Sequence, residues 1–464
     1  MICMNRLYAG LGALAMLALP VCSAQAQENL RPAQPVAITG AMLLDGYEAP
    51  PVHHAVVVFH NGRILAAGSA HDTPVPEDAF VIDAGGRTVM PGLIDAHTHV
   101  DLIGHGDYER YYVFMRGMER IDEMMTIGAK QMLRAGVTSA ADLGAPFQIL
   151  DLRERIERGE IPGPRLTISG PWITRIYLDS VPDEYQILIR SPREAAERTA
   201  ELIDKGSDVI KTWEGLTEAD YRAVVEVAHR NGIKVHAHLY EPTAIRAALA
   251  AGVDVFQHVG SGGNPPYDDA LVSEIAHRNI PVVQTIAHRI WIYPATLEFP
   301  ERLHDPVHRE DMPPDIYAEV MASFDNFRSL SYFHDIGRET RNSKRAARQF
   351  IDAGAYMGVG TDAASPMNFH TEAMWREMSA LVDSGMTPLQ VISAATKSNA
   401  EILDKAAELG TIEPGKLADL IVIDGNPLAD IDALQHVDIV VRDGVVWYPK
   451  RLPPGPVRDI GRAF

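Results

Sequence analysis

The feature that most constrains this chain is a repeated unit, an amphipathic helical pattern that stops at a glycine or asparagine and runs straight into a short apolar strand. It recurs at Gly136-Val137, Gly206-Ser207, Gly232-Ile233, Gly252-Val253 and Gly354-Ala355, and with asparagine at Asn279-Ile280. Glycine, and after it asparagine, is the residue that ends a helix in the left-handed conformation at least cost. Helix starts fit the same scheme, since Ser191-Pro192 and Thr387-Pro388 each place a capping hydroxyl before a proline in the first turn. Counting the strands so delimited gives eight, over 93–100, 136–143, 165–174, 209–213, 234–239, 255–260, 281–286 and 357–363. Such alternation predicts an α/β fold, a (β/α)8 TIM barrel with its chemistry at the C-terminal ends of the strands. A doubly wound open sheet is the alternative, disfavoured because no glycine-rich dinucleotide fingerprint follows the first strand.

Both flanks are β-rich instead. Asn61-Gly62 and Asp443-Gly444 are hairpin turns between apolar runs, one near each end of the chain. A few strands alone would be marginally stable, so the two ends are expected to pair into one small composite β-sandwich, residues 27–91 with 409–464, around a barrel at 92–408. The connection at about 287–343 is long for a barrel loop; it is expected to be a lid that carries substrate specificity, with a plain surface insertion as the alternative.

Residues 1–26 have the pattern of a secretory signal peptide: Arg6, an apolar run over 7–21, then Ala24-Gln25-Ala26 as a small-x-small cleavage site. The run is roughly 15 residues and broken by Pro20, short for a membrane span. Export to the periplasm with no membrane anchor after cleavage is therefore expected. Both cysteines, Cys3 and Cys22, fall inside this segment, so the mature chain has no disulfide and no thiolate ligand. A formal charge of −20 argues against a nucleic-acid partner and leaves a small molecule as the expected one, with a homo-oligomer open.

The polar residues at the strand ends are the chemical core of the sequence. His97 and His99 are two apart, and strand residues at that spacing share a face. Lys211 lies in DVIKTW, His236 and His238 in KVHAHL, His258 in VFQHV and Asp362 in GVGTDA, all at the same rim. A lysine in an apolar strand is costly to bury as a bare ammonium. Carboxylated by carbon dioxide, it becomes an anionic oxygen ligand able to bridge two cations. No Gly-x-Ser-x-Gly motif occurs and the mature chain lacks cysteine, so a serine or thiol nucleophile of the usual kinds is not indicated. Arg175 at the end of the third strand fits either a substrate carboxylate or an exposed loop. His288 and Arg289 open the insertion and either face the site or pack the lid. His53, His54, His60 and His71 suit a surface.

Taken in order, PGLIDAHTH, VIKTW, VHAH, AIRAALAAGVDVFQHV, VGTDAASP and AATKSNAEIL…LGTIEPGKLADLIVID span most of the mature chain. On these motifs the chain resembles the amidohydrolase superfamily of metal-dependent hydrolases, in its imidazolonepropionase-like and Xaa-Pro dipeptidase-like branch. The resemblance implies a (β/α)8 barrel with a composite β-sandwich and two divalent metal ions, zinc first among them. It implies that His97 and His99 hold the more buried ion, that Lys211 as carboxylysine bridges both, and that His236 and His258 hold the more exposed one. Asp362 would ligate the buried ion and exchange protons with a bridging hydroxide. His236 and His238 can both face inward; the resemblance selects His236 as ligand and leaves His238 or Tyr240 to contact the substrate carbonyl. The activity implied is hydrolysis of an amide or peptide-like bond in a dipeptide or N-acyl amino acid. A cyclic amide or lactone, a mononuclear deaminase and a non-catalytic scaffold are the alternatives; Lys211 speaks against the deaminase, and the full set of ligand positions against the scaffold.

Overall fold

The first two parallel strands are buried on both faces: every residue of Leu93–Thr98 and Val137–Asp142 is buried, the polar ones included. The computed structural model describes residues 33–116, 118–260 and 266–451. The expected signal peptide at 1–26 lies outside them. Among the described residues no helix is long and apolar enough to cross a membrane.

The α/β body contains two parallel sheets. One holds Leu93–Thr98, Val137–Asp142 and Arg165–Ile168; the other runs Gln186–Leu188, Trp172–Thr174, Ile210–Thr212, Val235–His238, Val255–Gln257, Val282–Val283 and Met357–Gly358. Backbone hydrogen bonds join them at two seams. Asp208 N–H donates to Ile168 O at 2.7 Å on one side, and on the other Ala96 N–H donates to Val359 O at 3.0 Å and Thr361 N–H to His97 O at 2.9 Å. A strand occurs in each of the eight expected places, shorter than expected, and the seventh and eighth have only two residues each. The third is broken. Ser169-Gly170-Pro171 interrupts it, with Gly170 at φ +68° and Pro171 without an N–H to donate, and its second half joins the other sheet. The helix-ending glycines and Asn279 have the positive φ expected of them.

The two chain ends share one mixed sheet of eight strands. Its joint is Thr88–Pro91 lying antiparallel to Leu420–Ile423, and both strands are wholly buried. Ile38, Val57, Phe59 and Val89 from one end pack with Leu420, Val422 and Val441 from the other. Gly92 makes the passage from this sheet to the first parallel strand. A Cβ there would lie 2.2 Å from Thr138 Oγ1, so only glycine fits.

The insertion is a series of short helices, from His288–Ile292 through Pro314–Ala322, leading to the long helix Ile336–Asp352. It is fastened to the body at several points. The Arg376 guanidinium lies between the Trp291 and Trp375 rings, 3.2 and 3.6 Å from their centroids. His308 stacks on Phe369 at 3.8 Å, and fully buried Asp311 pairs with Lys130 and Arg134, each at 2.9 Å. At its root, Glu377 accepts the Ile286 and Ala287 N–H groups at 2.9 and 2.6 Å, two donors that the first turn cannot satisfy.

Burial pushes the Glu377 carboxyl up from 4.5 to about 8, outweighing the two donors. A raised folded value means that the stability contributed by the protonated form is complete below the unfolded value and lost as pH rises through about 8. Urea midpoints measured at about pH 5 and about pH 9 should therefore fall with pH in the wild type and fall less in Glu377→Gln. An equal decline in both would assign the pH dependence elsewhere.

Candidate active site

Asp95 joins the first parallel strand to the last. Its Oδ1 accepts the His97 N–H at 3.0 Å and the Thr361 N–H at 3.1 Å, and Oδ2 lies 2.6 Å from the Thr361 hydroxyl. This brings Asp362 over the two histidines, with Oδ1 3.3 Å from His99 Nε2 and 3.6 Å from His97 Nε2. One ligand atom from each of His97, His99 and Asp362 lies within 4.8 Å of the others, close enough for a single cation to take all three. Lys211 Nζ is 3.4 Å from His97 Nε2 and forms no ion pair among the described residues. Burial pushes its ammonium down to about 7.

His258 stands beside this group, its ring 4.3 Å from that of His97 and 4.4 Å from that of His238. Its Nδ1 is engaged by Thr285 Oγ1 at 2.8 Å, which turns Nε2 free of that bond. His258 and Asp362 both have left-handed backbones, at φ 64° and 52°, strained conformations of the kind that gather at functional sites.

The fifth strand places its two histidines, of which His236 is the expected ligand, at different depths. His238 lines the cavity and His236 does not. Both face inward, but residues two apart in a strand differ in depth by roughly 6.5 Å, so the later one reaches the rim. His236 lies in the layer below, its Nδ1 3.0 Å from Gln257 Nε2, while Gln257 Oε1 meets His97 Nδ1 at 2.8 Å. Nε2 of each histidine lacks a hydrogen-bond partner, but that of His236 is enclosed beneath the floor. Burial holds His97, His236, His238 and His258 in the neutral form that ligates metal. Asp362 is also driven up by burial, yet the hydrogen bond from His99, first among the influences of the histidines around it, keeps it well below the usual carboxylate range.

The cavity above this floor measures about 350 Å³. The first-strand side and the 172–185 segment supply Asp101, Tyr108, Tyr112, Trp172 and Tyr185; the insertion supplies His288, Arg289, Tyr293 and Tyr332; Trp213, Glu214 and Tyr240 lie between. The Tyr240 ring is 4.5 Å from that of His238. Arg289 lies 5.6 Å from the Tyr293 and Tyr332 rings and pairs with Glu339 at 2.5 Å. Thus the insertion does wall the site, and His288 and Arg289 face it. Arg175 does not. Its guanidinium makes two bonds to Asp220, at 2.7 and 2.8 Å, and Asp220 closes the capping box of helix Glu218–Arg230 with Thr217. His53, His54 and His71 are exposed and His60 half-buried.

The sequence patterns did not single out Gln257, Glu214, Asp101 or the cavity tyrosines other than Tyr240. Gln257 could have been found, since it precedes a candidate ligand on an inward-facing strand; Tyr293 and Tyr332 carry no local signal.

The amidohydrolase family model matches residues 88–446, and the chain belongs to that family. It is 26% identical over 407 residues to the imidazolonepropionase of Thermoplasma acidophilum, covering 84% of this chain and 87% of that one. With the ochratoxinase of Aspergillus niger it shares 24% identity over 464 residues, 91% of this chain and 87% of the other. A Xaa-Pro dipeptidase solved with bound methionine superposes with a TM-score of 0.69 at 23% identity, over 89% of this chain and 100% of that one, a likeness of fold.

Because Arg175 serves Asp220, Arg175→Ala should lower stability by about 1–3 kcal/mol and leave the KM of a carboxylate-bearing substrate unchanged. A rise in KM at unaltered melting temperature would return Arg175 to the substrate.

Proposed function

We propose that this chain is a metal-dependent amide hydrolase that cleaves a C–N bond in a small molecule bearing a carboxylate, a dipeptide or N-acyl amino acid, with two divalent ions, zinc first among them. In the same proposal the two parallel sheets, hydrogen-bonded at both seams, are one closed (β/α)8 TIM barrel. One observation carries this reading: neutral histidines from three strands, a buried lysine and an aspartate meet on one cavity floor. That donor set fits cations. The lysine has no ion pair, and His238 Nε2 is buried without a partner. His97, His99 and Asp362 would hold the inner ion, and His238 and His258 the outer. Lys211 would link them as its N-carboxylate, formed when the neutral amine bonds to the carbon of carbon dioxide and releases a proton. Divalent ions at such a site polarise a carbonyl and lower the pKa of water.

The remaining work falls to the chain. Asp362, held ionised, takes the proton of the attacking water and delivers it to the departing nitrogen, so the C–N bond breaks as hydroxyl joins the acyl carbon. Tyr240, whose phenol burial keeps protonated, donates a hydrogen bond to the carbonyl oxygen. Arg289 receives the substrate carboxylate, and the aromatic walls exclude bulk water. His236 positions His97 through Gln257 rather than ligating. The likeness to an imidazolonepropionase favours a cyclic substrate as the second reading. Export to the periplasm through residues 1–26 belongs to the same proposal.

Metal analysis and a screen of dipeptides and N-acyl amino acids test it. Saturated wild-type protein should hold about two ions per chain, His238→Ala about one fewer, and His236→Ala the full number. The reverse pattern would restore His236 as ligand. Lys211→Ala should lose metal and activity together, with partial rescue by short carboxylates; wild-type turnover in that variant would end the bridging role. Asp362→Asn should lower kcat by about 10²–10⁴-fold.

A further inference from the structure

Amide hydrolysis on this floor has no use for the charge of Glu214, yet Glu214 lines the cavity. Its carboxylate is 43% exposed and lies 3.6 Å from His238 Nε2, a contact longer than a normal hydrogen bond. No arginine or lysine pairs with it among the described residues. The other acid of the lining outside the metal group, Asp101, is already engaged by the Tyr185 hydroxyl at 2.5 Å.

Position makes this charge informative. Glu214 follows the strand next to that of His238 and Tyr240, while Arg289 follows a strand on the opposite side of them. Beyond burial, the Tyr240 hydroxyl feels the positive charge of Arg289 and the negative charges of Asp362 and Glu214. A carbonyl bound at Tyr240 therefore has a cationic residue towards one end of its molecule and an anionic one towards the other. With a carboxylate taken by Arg289 on the leaving side, Glu214 is left facing the acyl side. An α-amine there is two bonds from the carbonyl carbon, so the carboxylate that recognises it must stand beside the fifth strand, as Glu214 does.

We propose that Glu214 is a specificity residue that binds a free ammonium on the acyl side of the substrate, so that aminoacyl compounds are selected over N-acylated ones. The inference rests on the amide-hydrolase reading for the place of the carbonyl, and on the cavity's own geometry for a half-exposed carboxylate that no arginine or lysine pairs with among the described residues.

Calorimetric titration of the metal-loaded protein with L-leucinamide and with N-acetyl-L-leucinamide, with hydrolysis products assayed after each run so that binding heat is separated from turnover, tests it. Wild type should bind the free amine about tenfold or more tightly than the acetylated form, the scale of one charge-assisted hydrogen bond. Glu214→Gln should bring the two to within about twofold, and Glu214→Asp should keep part of the preference. No preference in wild type, or an undiminished one in Glu214→Gln, would overturn the proposal. So would an equal loss of both ligands together with metal, which would place Glu214 behind His238 as support for the metal group. If the preference and its loss are seen but no amide is ever hydrolysed, the ammonium site stands and the hydrolase reading fails.

Discussion

The Asp95 carboxylate is the contact on which the rest of this site depends. It binds the backbone of the first parallel strand and that of the last at once, and so converts residues more than 260 positions apart into neighbours. Burial pushes Asp95 up to about 7, so the group is held by hydrogen bonds rather than by a partner charge. Together with the backbone bonds from Thr361 and Asp362 N–H to His97 O, that tie sets the Asp362 carboxylate over His97 and His99. The tie also explains the motif spacing, because an inward residue two before a ligand in one strand meets a residue one before a ligand in the other.

Much of this was legible in the sequence. Glycines and asparagine marked where helices give way to strands, and hairpin signals at both ends foretold the shared outer sheet. Periodicity named the inward histidines. It could not rank them by depth, because a repeat of two assigns a face and says nothing of height along the strand; hence it did not tell which of His236 and His238 lines the cavity. The broken third strand was visible as Ser169-Gly170-Pro171 but was absorbed into a longer apolar run. Tyr293 and Tyr332 reach the cavity only through the path of the insertion, a long-range outcome that no local pattern encodes. Arg175 fitted a substrate carboxylate and an exposed loop equally well because its partner Asp220 lies 45 residues away.

The cavity is electrostatically divided although the chain as a whole is strongly acidic. Arg289 keeps its charge among three aromatic hydroxyls and Glu339, while Glu214 and Asp101 occupy the other walls. Net charge, the quantity most easily read from composition, therefore describes the outer surface and not the chamber. What the chamber recognises is set by a few charges in a low-dielectric space, where each counts for more than it would in water.

The Trp291–Arg376–Trp375 stack bears on how the chamber is used. A cover fastened by a guanidinium between two indoles, a stacked histidine and a buried ion pair does not have to be ordered by the molecule it covers. Binding then spends little of its free energy on arranging the receptor, and discrimination comes from the fit of a preformed mould. Divergence towards new substrates in such a scaffold would proceed by exchanging single wall residues, with the length and path of the covering segment retained.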